Sequence, residues 1–254
     1  MIQLKGLLSL RTDFMEVEQR PYPLPSTPWL MQQTWHNMLF AHWPVSDIFL
    51  KAYLPEQLEI DTFDGTAWIG VISFKAHNTR LHGLPKFPFF HSYLELNVRT
   101  YVTYKGIPGI YFFSLDVDKR PVVMGAKMAT SLPYRRAHMK MVITEPVVHF
   151  TSRRKDKPNE SFQASYKQST NIYSPAKESL EYWLLERYCL WTTKDNVLFR
   201  GDIHHDRWRI TEAKASLHHH TMASFLPRYY FKTKPVLHFS GNKKVFIWPL
   251  QKVK

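Results

Sequence analysis

The sequence predicts a mainly β fold of the α+β class, and three observations predict it. Apolar and polar residues alternate from Leu94 to Tyr104, with Leu94, Leu96, Val98, Thr100 and Val102 on one face and Glu95, Asn97, Arg99 and Tyr101 on the other. Turn dipeptides, among them Asp64-Gly65, Lys105-Gly106 and Gly241-Asn242, punctuate runs rich in Val, Ile, Tyr, Phe and Thr. Helix-start signals are few and belong to short segments.

Taken in order, the proline cluster Pro21 to Pro28 is incompatible with helix or sheet and predicts an extended lead-in. Thr27 as cap and Pro28 in the first turn predict a helix over 28–36. Ser46 followed by Asp47 predicts a second helix over 46–53, stopped by Pro55. Residues 58–76 read as β, with Thr66, Trp68, Val71 and Phe74 among other apolar residues, bounded by the turn at Asp64-Gly65. The stretch 93–131 reads as a three-strand meander, turned at Lys105-Gly106 and at Asp118 to Pro121, so its neighbours should pair antiparallel. A further hairpin is expected over 141–152 and 161–169. A helix over 175–187 has Ser174 as cap, Pro175 in its first turn and Glu178 near its positive end. Strands follow at 188–193, 197–203 and 207–215, then a short helix at 217–226. Two last strands, VLHFS and KVFIW, flank Gly241-Asn242. No fixed-period repeat and no linker divides the chain, which predicts a single domain over 1–254.

Composition narrows the function classes. With 44% hydrophobic residues in 254, the chain can bury a sizeable core. No run approaches the roughly 20 apolar residues of a membrane span, which excludes that class of partner. The opening MIQLKGLLSLRTDF lacks the pattern of a signal peptide, and the single cysteine, Cys189, fits a reducing cytoplasm. The net charge of +13 is spread out; its densest runs, Arg153-Arg154-Lys155 with Lys157 and the lysines at 243, 244, 252 and 254, read as solvated loops and a basic tail. No nucleic-acid-binding motif accompanies them. His204-His205-Asp206 and His218-His219-His220 lack metal-ligand spacing, since neighbours on a strand point to opposite faces, and read as packing or surface residues. No phosphate-cradling glycine motif is present, and the reading includes no cofactor and no metal. Cys189, inside YCLW, reads as a small buried hydrophobe.

LPEQLEID (54–61), YLELNVRTYVTYKGIPGIYFFSLDVD (93–118), Ala126-Lys127 and LPYRRA (132–137) stand in the order in which similar stretches stand in acetoacetate decarboxylase. The chain resembles the acetoacetate-decarboxylase-like superfamily. More closely, LFAHWPV, DTFDGTAWIGV, PGIYFFSLD, LLERY and VLHFS resemble the YqjF-like family within it (domain-of-unknown-function family 2071). The resemblance implies a partly closed antiparallel barrel with peripheral helices and an interior ligand site. By that likeness the superfamily's pocket glutamate falls on Glu95, its glycine-arginine pair on Ala126-Lys127, an N-terminal arginine on or near His36, and its Schiff-base lysine on Tyr134, followed by Arg135.

Tyr134 cannot form an imine, because that chemistry needs a primary amine; Arg135 cannot either, because its guanidinium stays protonated. Another lysine, such as Lys127, would have to take the lysine's part. The leading expectation is a pocket for a small organic acid or similar polar-headed ligand, lined by Glu95, Arg99, Lys127, Tyr134, Arg135 and His36. The alternatives are an acid/base lyase or hydrolase using Glu95 and Tyr134, in which Tyr134 is either the general acid or a space-filler, and association with nucleic acid or an anionic surface through the basic charge.

Overall fold

A computed structural model describes residues 16–85 and 91–253. The opening segment read as lacking a signal peptide, and Lys254 of the basic tail, lie outside the described residues. The strands are β1 (Met31–Val45), β2 (Glu59–Ile60), β3 (Ala67–Leu81), β4 (Tyr93–Tyr104), β5 (Ile107–Val117), β6 (Tyr134–Thr144), β7 (Val147–Arg154), β8 (Ser161–Gln168), β9 (Cys189–Lys194), β10 (Val197–His204), β11 (Thr211–His220), β12 (Val236–Ile247) and β13 (Gln251–Lys252). Helices α1 (Asp47–Lys51), α2 (Arg120–Ala129) and α3 (Leu180–Leu185) and a 3-10 turn over Arg228–Lys232 lie between them.

The fold turns on one wall of five adjacent strands, β12-β1-β3-β4-β5. Its two outer strands each take two neighbours on their free edge. The end of β5 pairs with β6 while Ile110 and Tyr111 pair with β9; Phe239 of β12 pairs with β11 while Phe246 and Ile247 pair with β10. The wall therefore closes twice: through β6-β7-β8-β11 into a nine-stranded barrel, and through β9-β10 into a smaller ring of seven. Each closure buries a different face. Leu39, Ala41, Trp43, Val71, Leu96 and Val98 fill the barrel with Phe150, Phe162 and Tyr166. Met38, Phe40, Ile72, Phe74, Tyr93 and Tyr101 turn the other way, toward Ile110, Leu184 and Trp208. A wall buried on both faces explains the unbroken burial from Ala67 to Phe74.

Two of the three turn dipeptides behave as the sequence predicts. Asp64-Gly65 and Lys105-Gly106 both adopt positive φ, the geometry that matches the twist of hairpin strands. Strands β4, β5, β8, β9 and β10 stand where expected, and α1 answers to the 46–53 helix; the run 141–152, expected as one arm of a hairpin, is instead divided by a turn at 145–146 between β6, which begins at Tyr134, and β7. Other expectations are corrected. Residues 28–36 are not a helix: β1 begins at Met31 and pairs along its length with both β3 and β12. A cap is worth about 1 kcal/mol, and two ladders outweigh it. The third strand of the expected meander is helix α2, with Pro121 in its first turn and Val123 turned to the core. It carries the chain over to β6, which runs parallel to β5, so the antiparallel arrangement holds for β4 and β5 and fails beyond. The 175–187 helix shrinks to α3, capped by Ser179, whose Oγ accepts the Tyr182 N–H at 3.2 Å; Tyr173, just upstream, bridges to Ile210 instead. Residues 217–220 continue β11. Gly241-Asn242 makes no turn: β12 runs through it in unbroken register with β1, and the irregularity lies on the other edge of β1, where Asn37 (φ 52°) falls in the register shift between the pairs His36–Lys75 and Leu39–Ser73.

The basic run at 153–157 also divides. Arg153, Lys155 and Lys157 are exposed, but Arg154 is buried. Its Nε donates to both oxygens of Asp116 (3.0 and 2.8 Å), and its other nitrogens donate to Glu160 and Ser114. Burial pushes the Asp116 carboxyl up to about 6, although Arg154 pulls it back. Replacing Arg154 with Ala strands two buried carboxylates, and we expect a loss of about 3–5 kcal/mol in urea denaturation at neutral pH; a loss below 1 kcal/mol would contradict this network's role.

Candidate functional site

Strand β4 presents its polar residues to the smaller ring, not to solvent. Glu95 and Asn97 are buried, and Asn97 Nδ2 donates to Glu95 Oε1 at 3.4 Å. With no cation beside it among the described residues, the Glu95 carboxyl is pushed up to about 8 by burial, against the pull of the Asn97 hydrogen bond, and the nearby Asp116 charge adds to the rise. Near neutrality most of it is a carboxylic acid that can donate a hydrogen bond or pass a proton. Next to it, Gln33 Nε2 donates to Tyr93 Oη at 2.5 Å, and Trp35 Nε1 donates to Gln33 Oε1 at 2.8 Å.

Tyr134 opens β6 opposite Leu115 and packs on the same core as Tyr93 and Val117. Burial holds its phenol well above the usual range, and the charge on Glu95 and the Tyr93 phenol add to that. Glu95 and Tyr134 are thus electrostatic neighbours. Tyr134 also lines a groove of about 420 Å³ with Val123, Lys127, Pro133, Arg135, Arg136, Lys155 and Asp156; Glu95 does not line it. Four cationic side chains meet one carboxylate there, Asp156, which Arg135 already binds. Lys127 stands on the exposed face of α2, without the desolvation that makes a lysine nucleophilic.

The structure separates the other two candidates from this group. His36 lies beside His77 (ring centroids 5.9 Å) and Lys75, while the preceding Trp35 packs on Phe74 in the smaller ring. Arg99 follows an irregularity in the β4–β5 register between Val98 and Arg99 and reaches the other end of the strand's interior face. Its Nη2 donates to Tyr101 Oη (3.4 Å) and to the Leu184 carbonyl (3.3 Å). Tyr101 Oη also lies 2.8 Å from His42 Nε2. His42 comes this close because Gly70 stands opposite it: a Cβ there would meet His42 Cδ2 at 2.8 Å. Arg187 completes the cluster, with its guanidinium 5.0 Å from the Tyr101 ring and paired with Asp61 at 2.5 Å.

The sequence reading missed His42 and Arg187, although each had a signal. Arg187 sits in LLERY, a charge within an apolar run, where burial demands a partner. The histidine runs do pack. His205 stacks on Tyr188 (4.7 Å) and His220 on Trp43 (4.9 Å), whereas His218 is exposed and meets Ser165 Oγ. Cys189 is buried as expected, and burial pushes its thiol up to about 11.

The Glu95 carboxyl has a pH signature. Its pKa is raised on folding, so its contribution is most favourable below the unfolded value near 4.5 and is lost as pH rises through about 8. Glu95→Gln should therefore leave Tm nearly unchanged at pH 5 and raise it at pH 8.5, measured by thermal unfolding. An equal shift at both pH values would show Glu95 to be ionised in the folded protein.

The match to known proteins is consistent with this geometry. Residues 32–243 match the model of the DUF2071 family, described as an uncharacterized conserved protein. The uncharacterized protein YqjF of Bacillus subtilis is 42% identical over 235 residues, covering 92% of this chain and 97% of that protein. Among solved structures, an acetoacetate decarboxylase-like enzyme from Sphingomonas wittichii superposes with a TM-score of 0.61 at 14% identity, over 92% of this chain and 98% of that one. The acetoacetate decarboxylase of Legionella pneumophila gives 0.58 at 17% identity, over 92% of each chain. The enduracididine biosynthesis enzyme MppR complexed with pyruvate gives 0.60 at 10%, over 92% and 93%. At these identities the structures share the fold alone, and with the sequence matches they make this chain a member of the DUF2071, YqjF-like family built on the acetoacetate-decarboxylase-like fold.

Proposed function

We propose that the protein is a cytoplasmic binder of a small organic acid, taken in the groove that Lys127, Tyr134 and Arg135 line, and that it does not form an imine with it. The observation that carries this reading is the excess of cationic side chains in a groove one phenol away from a carboxyl held neutral. Lys127, Arg136 and Lys155 offer charge to a carboxylate, and the neutral Tyr134 hydroxyl offers a directed hydrogen bond. The single buried thiol supports a reducing compartment. Among the described residues, no helix is long and apolar enough to cross a membrane.

A second reading has its own support. A carboxyl with a pKa of about 8 is poised near working pH for general acid/base chemistry, so a lyase or hydrolase using Glu95 with Tyr134 follows if the bound acid has a labile proton within reach.

Calorimetric titration with a panel of small oxo- and hydroxy-acids tests both readings. At least one acid should bind, and Lys127→Gln and Tyr134→Phe should each weaken it roughly tenfold, the worth of one charge-assisted contact. Incubation with acetoacetate and borohydride should leave the protein's mass unchanged, because the groove has no desolvated amine. An adduct on Lys127, or affinity indifferent to both substitutions, would overturn the proposal; turnover abolished by Glu95→Gln would establish the second reading.

A further inference from the structure

The cluster around Tyr101 carries positive charge that the protein does not balance. Arg187 is paired with Asp61, but among the described residues no carboxylate pairs with Arg99. Both guanidinium groups approach the same ring, with Cζ 5.0 Å (Arg187) and 5.7 Å (Arg99) from its centroid. Among the described residues, three buried nitrogens of the cluster find no hydrogen-bond partner: Arg99 Nε, Arg187 Nη2 and His42 Nδ1. Buried donors are rarely left so, and each unmet one costs about 1–3 kcal/mol.

The hydrogen-bond chain fixes the sense of these atoms. Arg99 can only donate, so Tyr101 Oη accepts from it and is free to give its own proton to His42 Nε2. His42 then carries its proton on Nδ1. It stays neutral, because burial and the Arg99 charge both hold its pKa well below the ordinary value. All three orphan atoms are therefore donors, beside one unbalanced cation. Donors in excess with a net positive charge call for an acceptor-only anion.

We propose that Arg99 and Arg187 form a second anion site, distinct from the groove at Tyr134, that takes a small carboxylate between the two guanidinium groups beside Tyr101. A carboxylate suits it better than a halide, because two guanidinium edges present separate N–H donors to two oxygens. Access is available: Arg99, Asp61 and Trp183 are all partly exposed where α3 meets the loop after β2. The site also contains its own reporter. The Arg187 guanidinium lies 4.3 Å from the Trp183 ring, and its Nε donates to the Trp183 carbonyl at 2.6 Å.

The test is a fluorescence titration of the full chain with sodium acetate, against sodium chloride at matched ionic strength. Trp183 is identified as the reporter by Trp183→Phe, which should remove the response. Acetate should give a saturable change that chloride does not. Arg99→Gln, whose parent side chain makes hydrogen bonds but no ion pair, should fold and weaken acetate at least roughly tenfold; Arg99→Lys should bind with intermediate strength. Lys127→Gln should leave the response unaltered, so a failure here and a failure of the groove are separable. The proposal is overturned by no saturable response in the parent protein, by an equal response to chloride, by an undiminished response in Arg99→Gln, or by its loss in Lys127→Gln.

Discussion

A sheet buried on both faces has no side on which a polar residue can be solvated cheaply, and that constraint governs the rest of this molecule. The wall β12-β1-β3-β4-β5 is enclosed by the nine-stranded barrel on one face and by the smaller ring on the other. Along it an apolar residue is at home in either direction. A polar one must be paired, neutralised or matched by something from outside the chain. The polar positions of β4 and their partners on β1, β5 and α3 meet this demand in three different ways.

Asp116 is paired. Arg154 binds both its oxygens and continues to Glu160, so the carboxyl rises only to about 6. Glu95, directly across the wall from the same strand, has an amide for company and rises from 4.5 to about 8. That rise corresponds to roughly 5 kcal/mol of preference for the neutral acid. Coulomb attraction wins at the first site and desolvation at the second, and the presence of one guanidinium is the difference. The third way is that of Arg99 and Arg187, where two cations share one carboxylate and donors remain unmet. Glu95 holds a proton that it can give away; the arginine pair holds charge that it cannot.

This distribution fits the change at the start of β6. Where the resemblance sets a lysine, the chain has Tyr134, and beside it the cations Lys127, Arg135 and Arg136 face a groove open to water. A nucleophilic amine depends on exclusion of water, whereas recognition of an acid needs only charge and directed donors. The fold is shared with the decarboxylases, while the position that the resemblance gives to a lysine holds a phenol, which cannot form an imine.

The sequence alone determined what depends on neighbours in the chain. Asp64-Gly65 and Lys105-Gly106 had to turn, β4 and β5 had to pair antiparallel across four residues, and Tyr134 could not form an imine, because these follow from backbone and side-chain chemistry at single positions. Only the tertiary structure decided the rest. Period-two alternation marks two faces but cannot say that both are buried, so by alternation alone Glu95 and Asn97 read as a solvent face. Thr27-Pro28 signals a helix, and Val122-Val123 and Thr130 a strand. Each preference is worth about 1 kcal/mol or less, and each yielded to partners far off in sequence: β3 and β12 for β1, the core at Val123 for α2. The site divided for the same reason. Arg99 was visible as a charge on β4, but its companions His42 and Arg187 lie 57 residues before it and 88 after it: the register of β1, β3 and β4 brings the first to the tyrosine, and closure of the smaller ring the second.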